Sequence, residues 1–171
     1  SISDFAAFSF QAIKHITTGD GGALCCLDQL QYEEAKKRRW FGIDRTGSKP
    51  SILGERVFDL EKVGFKYHLN DIAAAIGLGN LEEFPKRLKK IREIASIYTE
   101  ELRHVPGMEL LNYRNDRNSA FWLFTVLVDN RMDFIRKMNA AGVPVSVVHQ
   151  RIDRFSVFGG INHGLINQEK F

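Results

Sequence analysis

The stretch FSFQAIKHITTGDGGAL, residues 8–24, sets one lysine, Lys14, after an apolar approach and follows it with a turn-rich run holding Gly19, Gly21 and Gly22. A lysine amine ordinarily titrates near 10.4 and is protonated and unreactive at neutral pH. Removal from water favours its neutral form. Phe5, Phe8, Phe10, Ala12 and Ile13 are apolar enough that partial shielding of Lys14 is expected. A neutral lysine amine condenses with a carbonyl to give a Schiff base. The neighbours suit a carbonyl compound bearing a phosphate. Ser9 offers a hydroxyl, and Thr17, Thr18 and Gly19 are expected to add hydroxyls and backbone N–H groups. Glycines in the turn allow positive φ and close approach to a ligand. Taken alone, the lysine also reads as structural and the glycines as a hairpin turn.

Working outward, Asp4–Phe10 and the run ALCCLD both read as strands. Asp28 reads as a helix N-cap with Gln31 as its capping-box partner. That helix is expected to run to about Trp40, with Gly42 ending it. Residues 44–56, rich in Gly, Ser, Pro and charge, read as a surface loop. Asn70 or Asp71 then caps a helix whose Ala73, Ala74, Ala75 and Gly77 permit close packing. A second, longer helix is expected from about Leu81 to His104, with Pro85 in its first turn. Leu88, Ile91, Ala95, Tyr98 and Leu102 would line one face of it. Beyond it, residues 119–128 read as a strand, NRMDFIRKMNAAG as a short helix and residues 143–149 as another strand, a small α/β unit.

Composition bounds the class. The chain has 171 residues, 44% hydrophobic and 26% charged, with net charge +3, the profile of an ordinary globular protein rather than a disordered one. The runs KKRRW and KRLKKIR concentrate positive charge and read first as solvated helix faces, then as docking surfaces for phosphate or nucleic acid. The two cysteines, Cys25 and Cys26, are adjacent and poorly placed to pair, and no metal-binding spacing appears. Reduced thiols and a cytoplasmic setting are expected. No apolar run is long enough to span a bilayer. The abrupt ends read as those of a piece of something larger.

Three blocks now fall into a pattern. The first is Ser9, Phe10, Gln11, Lys14, Ile16, Thr17, Thr18, Gly19, Asp20, Gly21 and Gly22; the second is GFKYHLNDIAAAIGLGNLEEF; the third is VPVSVVH at 143–149. In this order they resemble the DegT/DnrJ/EryC1/StrS sugar aminotransferases across nearly the whole chain. The resemblance implies an α/β architecture, the pyridoxal-phosphate-dependent transferase fold type I (aspartate-aminotransferase-like). Residues 1–80 would be the C-terminal part of the cofactor-binding large domain, 81–104 a connecting helix, and 105–171 part of the small domain. It implies that Lys14 carries pyridoxal phosphate and serves as the base of the proton shift, and that Ser9 contacts the phosphate. It implies transfer of an amino group, usually from glutamate, to a nucleotide-linked keto sugar by a homodimer. The loop at 65–68 would reach the partner's site, with Lys66 as a phosphate contact. His149 would meet the substrate, or simply bond backbone at a strand end; Tyr67 would approach the ligand or pack.

Departures are specific. The family's usual Asn is Lys66, its usual Arg is His68, and its frequent His is Gln11. A dehydrating branch replaces the lysine with His, and Lys14 argues against it. Arg45 borders the site or fixes its own loop, and Asp20 reads as a turn carboxylate. The family's ring-stacking aromatic and its carboxylate for the ring nitrogen would precede residue 1, so the segment is expected to be inactive alone. Rival readings are a non-catalytic cofactor-binding regulator of the same fold and a basic nucleic-acid-binding module using residues 86–92 and Trp122.

Overall fold

The computed structural model describes residues 3–166. Along them run β1 (Phe5–Ser9), β2 (Gly22–Cys26), α1 (Gln29–Arg38), β3 (Lys49–Pro50), β4 (Arg56–Val57), α2 (Asp71–Leu102), β5 (Met108–Leu110), β6 (Val126–Val128) and α3 (Arg131–Ala140). Two 3₁₀ turns follow, Ile152–Arg154 and Ser156–Phe158. The chain divides into two units, one ending at Glu93 and one beginning at Ile94.

In the first unit β1 and β2 pair antiparallel, with Phe5 opposite Cys26 and Ser9 opposite Gly22. Both cysteines are free thiols. Asp28 caps α1 as its sequence position predicts: its Oδ1 accepts from the Leu30 and Gln31 amides at 2.9 and 3.0 Å. The reciprocal Gln31 bond does not form, because that side chain turns inward and buries its Oε1 without a partner. Past α1 the chain reverses, and the Gly42 amide returns to the Lys37 carbonyl at 3.0 Å. The loop at 64–67 then docks on the end of α1: Phe65 N donates to Arg38 O at 2.7 Å and Tyr67 N to Arg39 O at 2.9 Å. The stretch at 44–56 is mostly loop, with a two-residue ladder pairing Lys49 with Val57 and Pro50 with Arg56.

The two helices expected between 70 and 104 are one, 32 residues long. Asn70 starts it, its Oδ1 accepting from the Ala73 amide at 2.9 Å. No break occurs near residue 80, because Asn80 turns its side chain back onto the Ile76 carbonyl at 3.0 Å and supplies no new cap. Pro85 therefore lies in the helix interior rather than in a first turn. Its ring removes one rung of the ladder there.

In the second unit β5 and β6 pair antiparallel, Met108 opposite Val128. The strand expected over 119–128 shrinks to its last three residues. Phe121 has φ +47°, which no strand tolerates, and its amide turns back to Ser119 Oγ at 3.1 Å. The strand expected over 143–149 does not form. Val145 exchanges both backbone groups with the Asn139 side chain, at 3.2 and 3.4 Å, and this ties the segment to the end of α3 instead of to a sheet. Asn130 caps α3, accepting from the Asp133 amide at 3.3 Å. Tyr98, Phe121 and Phe124 form an aromatic cluster with centroids 5.2 and 6.3 Å apart. Among the described residues Ala95 and Thr18 are the buried ones, at 3% and 5% exposure, while Ile52 and Leu53 stand 100% and 85% exposed.

Candidate active site

The loop joining β1 to β2 closes on itself. The Phe10 amide donates to Gly21 O at 2.8 Å, and the Phe10 carbonyl accepts from the Thr18 amide at 2.9 Å. Lys14 sits inside this closed loop, half-buried, with its amide on the Gln11 carbonyl at 2.9 Å. Ser9 stands where β1 enters the loop, so hydroxyl and amine belong to one short segment. Gly21 is required: its φ is +140°, and a Cβ there would lie 2.8 Å from Thr18 Oγ1 and 2.9 Å from Leu69.

The donor set is narrower than the sequence suggests. Thr17 Oγ1 donates to Phe10 O at 3.2 Å and accepts from the Gly19 amide at 2.9 Å. Thr18 Oγ1 donates to Asp20 O at 2.7 Å. These hydroxyls and the Gly19 N–H are engaged within the loop, where they shape the turn. Ser9 differs. Its Oγ only accepts, from the Gln11 amide at 3.4 Å, and its own proton remains available among the described residues. The shielding expected from the aromatic approach is also partial, since Phe5, Phe8 and Ile13 are 49%, 54% and 64% exposed.

A second group gathers around Trp40. Lys66 bridges to it through the backbone. His68 meets its ring edge-on at 4.3 Å, and the Arg45 guanidinium lies over the ring at 4.8 Å. This contact ties the loop bearing Arg45 to the end of α1. Tyr67 is 73% exposed and stacks on Phe65 with centroids 5.2 Å apart. Lys66 and Lys14 both belong to the first unit; His149 belongs to the second and is exposed. Downstream of His149, Arg151 grips Asp153 at 2.9 and 2.6 Å, and Asp153 also accepts from the Asn162 amide at 2.8 Å. These bonds hold the Asp153 carboxyl down at about 2.

Several cations of the basic runs pair with carboxylates nearby. Lys36 pairs with Glu33 at 2.9 Å, Arg38 with Glu34 at 2.8 Å and Lys86 with Glu83 at 3.8 Å. No helix of the described residues is long and apolar enough to cross a membrane. The close packing expected at Gly77 occurs against the Lys14 loop, whereas sequence reasoning missed Asn80 and Arg87. A Cβ at Gly77 would meet Thr18 Cγ2 at 2.8 Å, and Arg87 donates to the His15 carbonyl at 2.9 Å. These residues lie far along the chain from the loop, and no local pattern announces such a contact.

Comparison with known proteins gives a consistent answer. Residues 1–161 match the family model described as the DegT/DnrJ/EryC1/StrS aminotransferase family. The crystal structure of AtS13 from Actinomadura melliaura is similar at 43% identity and TM-score 0.84, over 93% of this chain and 42% of that one. The sugar aminotransferase CalS13 from Micromonospora echinospora is similar at 36% identity and TM-score 0.85, over 95% of this chain and 44% of that one. A Campylobacter jejuni UDP-4-amino-4,6-dideoxy-N-acetyl-beta-L-altrosamine transaminase is 26% identical over 91% of this chain and 41% of its own length. The chain thus spans about two fifths of the relatives it matches. Its architecture is part of the fold type I expected from the sequence.

Proposed function

The chain belongs to the DegT/DnrJ/EryC1/StrS aminotransferase family, and from that premise we propose that the protein carrying it is a pyridoxal-phosphate-dependent aminotransferase. It moves an amino group from an amino acid, glutamate first, to a keto carbon of a nucleotide-linked sugar. The observation that carries this reading is that Lys14 lies on a self-closed turn with Ser9 at its entrance. The cofactor presents an aldehyde and a phosphate, and the turn offers a primary amine and a hydroxyl whose proton is not engaged, so the residues present fit it. When bound, the cofactor supplies a ring that withdraws electrons from the bonds around the transferred nitrogen.

The chain's own residues do the rest. Lys14 Nζ would hold the cofactor at its aldehyde and would take and return the proton moved during transfer. Ser9 Oγ donates to a phosphate oxygen. The closed turn joins both residues in one short segment. Lys66 is read as a further phosphate contact across a homodimer interface, and His149 and Tyr67 as contacts to the sugar nucleotide. In this reading residues 1–80 complete a cofactor domain, 81–104 connect it, and 105–171 belong to a small domain. No nucleic acid or membrane takes part, and the cytoplasm is the setting.

The test uses the whole protein. Borohydride reduction with pyridoxal phosphate bound, followed by peptide mass spectrometry, is expected to find the adduct on Lys14 and none in K14A. Glutamate is expected to shift the bound cofactor's absorbance, and a nucleotide-linked keto sugar to restore it. A label on another lysine overturns the site assignment. A Lys14 label with no response to either substrate overturns the transfer activity.

A further inference from the structure

Gly77, Asn80 and Arg87 stand three and seven residues apart, a spacing that puts them on one stripe of α2. That stripe meets the turn bearing Lys14. At Gly77 the helix backbone lies so close that an added Cβ would come within 2.8 Å of Thr18 Cγ2. Asn80 anchors its amide group by donating from Nδ2 to the Ile76 carbonyl at 3.0 Å, and its Oδ1 accepts from Arg87 Nη1 at 3.5 Å. Arg87 Nη1 also donates to the His15 carbonyl at 2.9 Å. The guanidinium therefore spans an oxygen of its own helix and an oxygen of the turn, which a planar, multiply donating group does well. Lys14 is held just before this point by its own amide on Gln11 O at 2.9 Å.

We propose that Arg87 is a positioning residue for Lys14: by holding the His15 carbonyl, with Asn80 as its brace, it fixes the direction in which the neighbouring amine leaves the turn. The inference rests on the reading of Lys14 as the amine that receives pyridoxal phosphate. Attachment joins Nζ to the aldehyde carbon, and the aldehyde oxygen leaves as water with two protons from the nitrogen. No electrons change hands, so no further reagent is needed. The rate of that step depends on how often the amine points at the carbonyl, and a fixed turn raises that fraction. Arg87 touches neither cofactor nor substrate in this scheme and acts only through the backbone.

The experiment starts from the whole protein freed of cofactor. Pyridoxal phosphate is added, aliquots are quenched with borohydride at timed intervals, and the Lys14 adduct is quantified by mass spectrometry. Amide hydrogen exchange over residues 12–18 is recorded separately, before cofactor is added. R87L is expected to slow adduct formation by about three- to tenfold and to speed exchange across the turn, with the thermal midpoint nearly unchanged. R87K, which keeps one donor for His15 O, is expected to recover most of the rate. K90L, which removes a neighbouring cation from the same helix, is expected to match wild type, showing that the effect is not one of charge alone. Should R87L fail to fold, N80A carries the comparison, with a slowing of about twofold. Wild-type adduct rates and exchange in R87L, or in N80A where that variant stands in, overturn the inference and leave the proposed function standing. A wild-type protein that forms no adduct on Lys14 overturns the proposed function and the inference with it.

Discussion

Ser9 and Thr18 carry the same functional group and are put to opposite uses. Thr18 is 5% exposed and gives its proton to Asp20 O at 2.7 Å; Ser9 is exposed and gives its proton to no described residue. A hydrogen bond to a charged phosphate is worth about 1.5–3 kcal/mol. S9A is therefore expected to weaken cofactor retention by about tenfold or more, measured as the dissociation constant from a spectral titration. At Asp153 the prediction concerns acid. Its carboxyl is held at about 2 against an ordinary 3.8, chiefly by Arg151 and then by the Asn162 amide. A folded-state value below the unfolded one gives stability that is present above 3.8 and is lost as pH falls toward 2. The gap in urea midpoint between wild type and D153N is expected to be open at neutral pH and to close across that acid window. Lys14 and Ser9 could be proposed from the sequence because six consecutive residues contain both. The engagement of the threonine hydroxyls was not legible there, because it depends on where the Phe10 and Asp20 carbonyls point after the loop closes.

At the scale of elements, local chemistry was the reliable guide. Asp28, Asn70 and Asn130 each cap the helix they precede, since capping needs only neighbouring residues. Extent was harder to read. A separate helix is expected from about Leu81, yet α2 runs unbroken from Asp71 to Leu102. The segment 143–149 has strand composition, but Asn139 satisfies the Val145 backbone from outside any sheet. Pro85 inside α2 supplies a prediction. Replacing it with alanine restores a donor for the Leu81 carbonyl and removes a steric clash, so P85A is expected to stabilise the protein by about 1–3 kcal/mol. Chemical denaturation at equilibrium checks this, and an unchanged or lower midpoint would mean that neighbouring packing has adapted to the proline.

Across the whole molecule the apolar pattern was plain in sequence, whereas what covers it was not. Ile72 and Leu78 on α2 are 78% and 67% exposed, and Val157 is 82% exposed. Isolated folded proteins rarely leave such surface uncovered in contiguous patches. The chain spans about two fifths of its relatives. The 171 residues produced by themselves are therefore expected to bind a hydrophobic dye and to self-associate, and the protein that carries them to do neither; light scattering beside dye fluorescence decides it. The shared helix has a last consequence. α2 lends Arg87 to one unit and Ala95 and Tyr98 to the other, and the division between Glu93 and Ile94 falls inside its hydrogen-bonded ladder. Proteases attack exposed, flexible linkers, and here the seam offers none. Limited digestion should spare it, and a gene dissected at that point would leave each product with a frayed stump where it needs an intact rod.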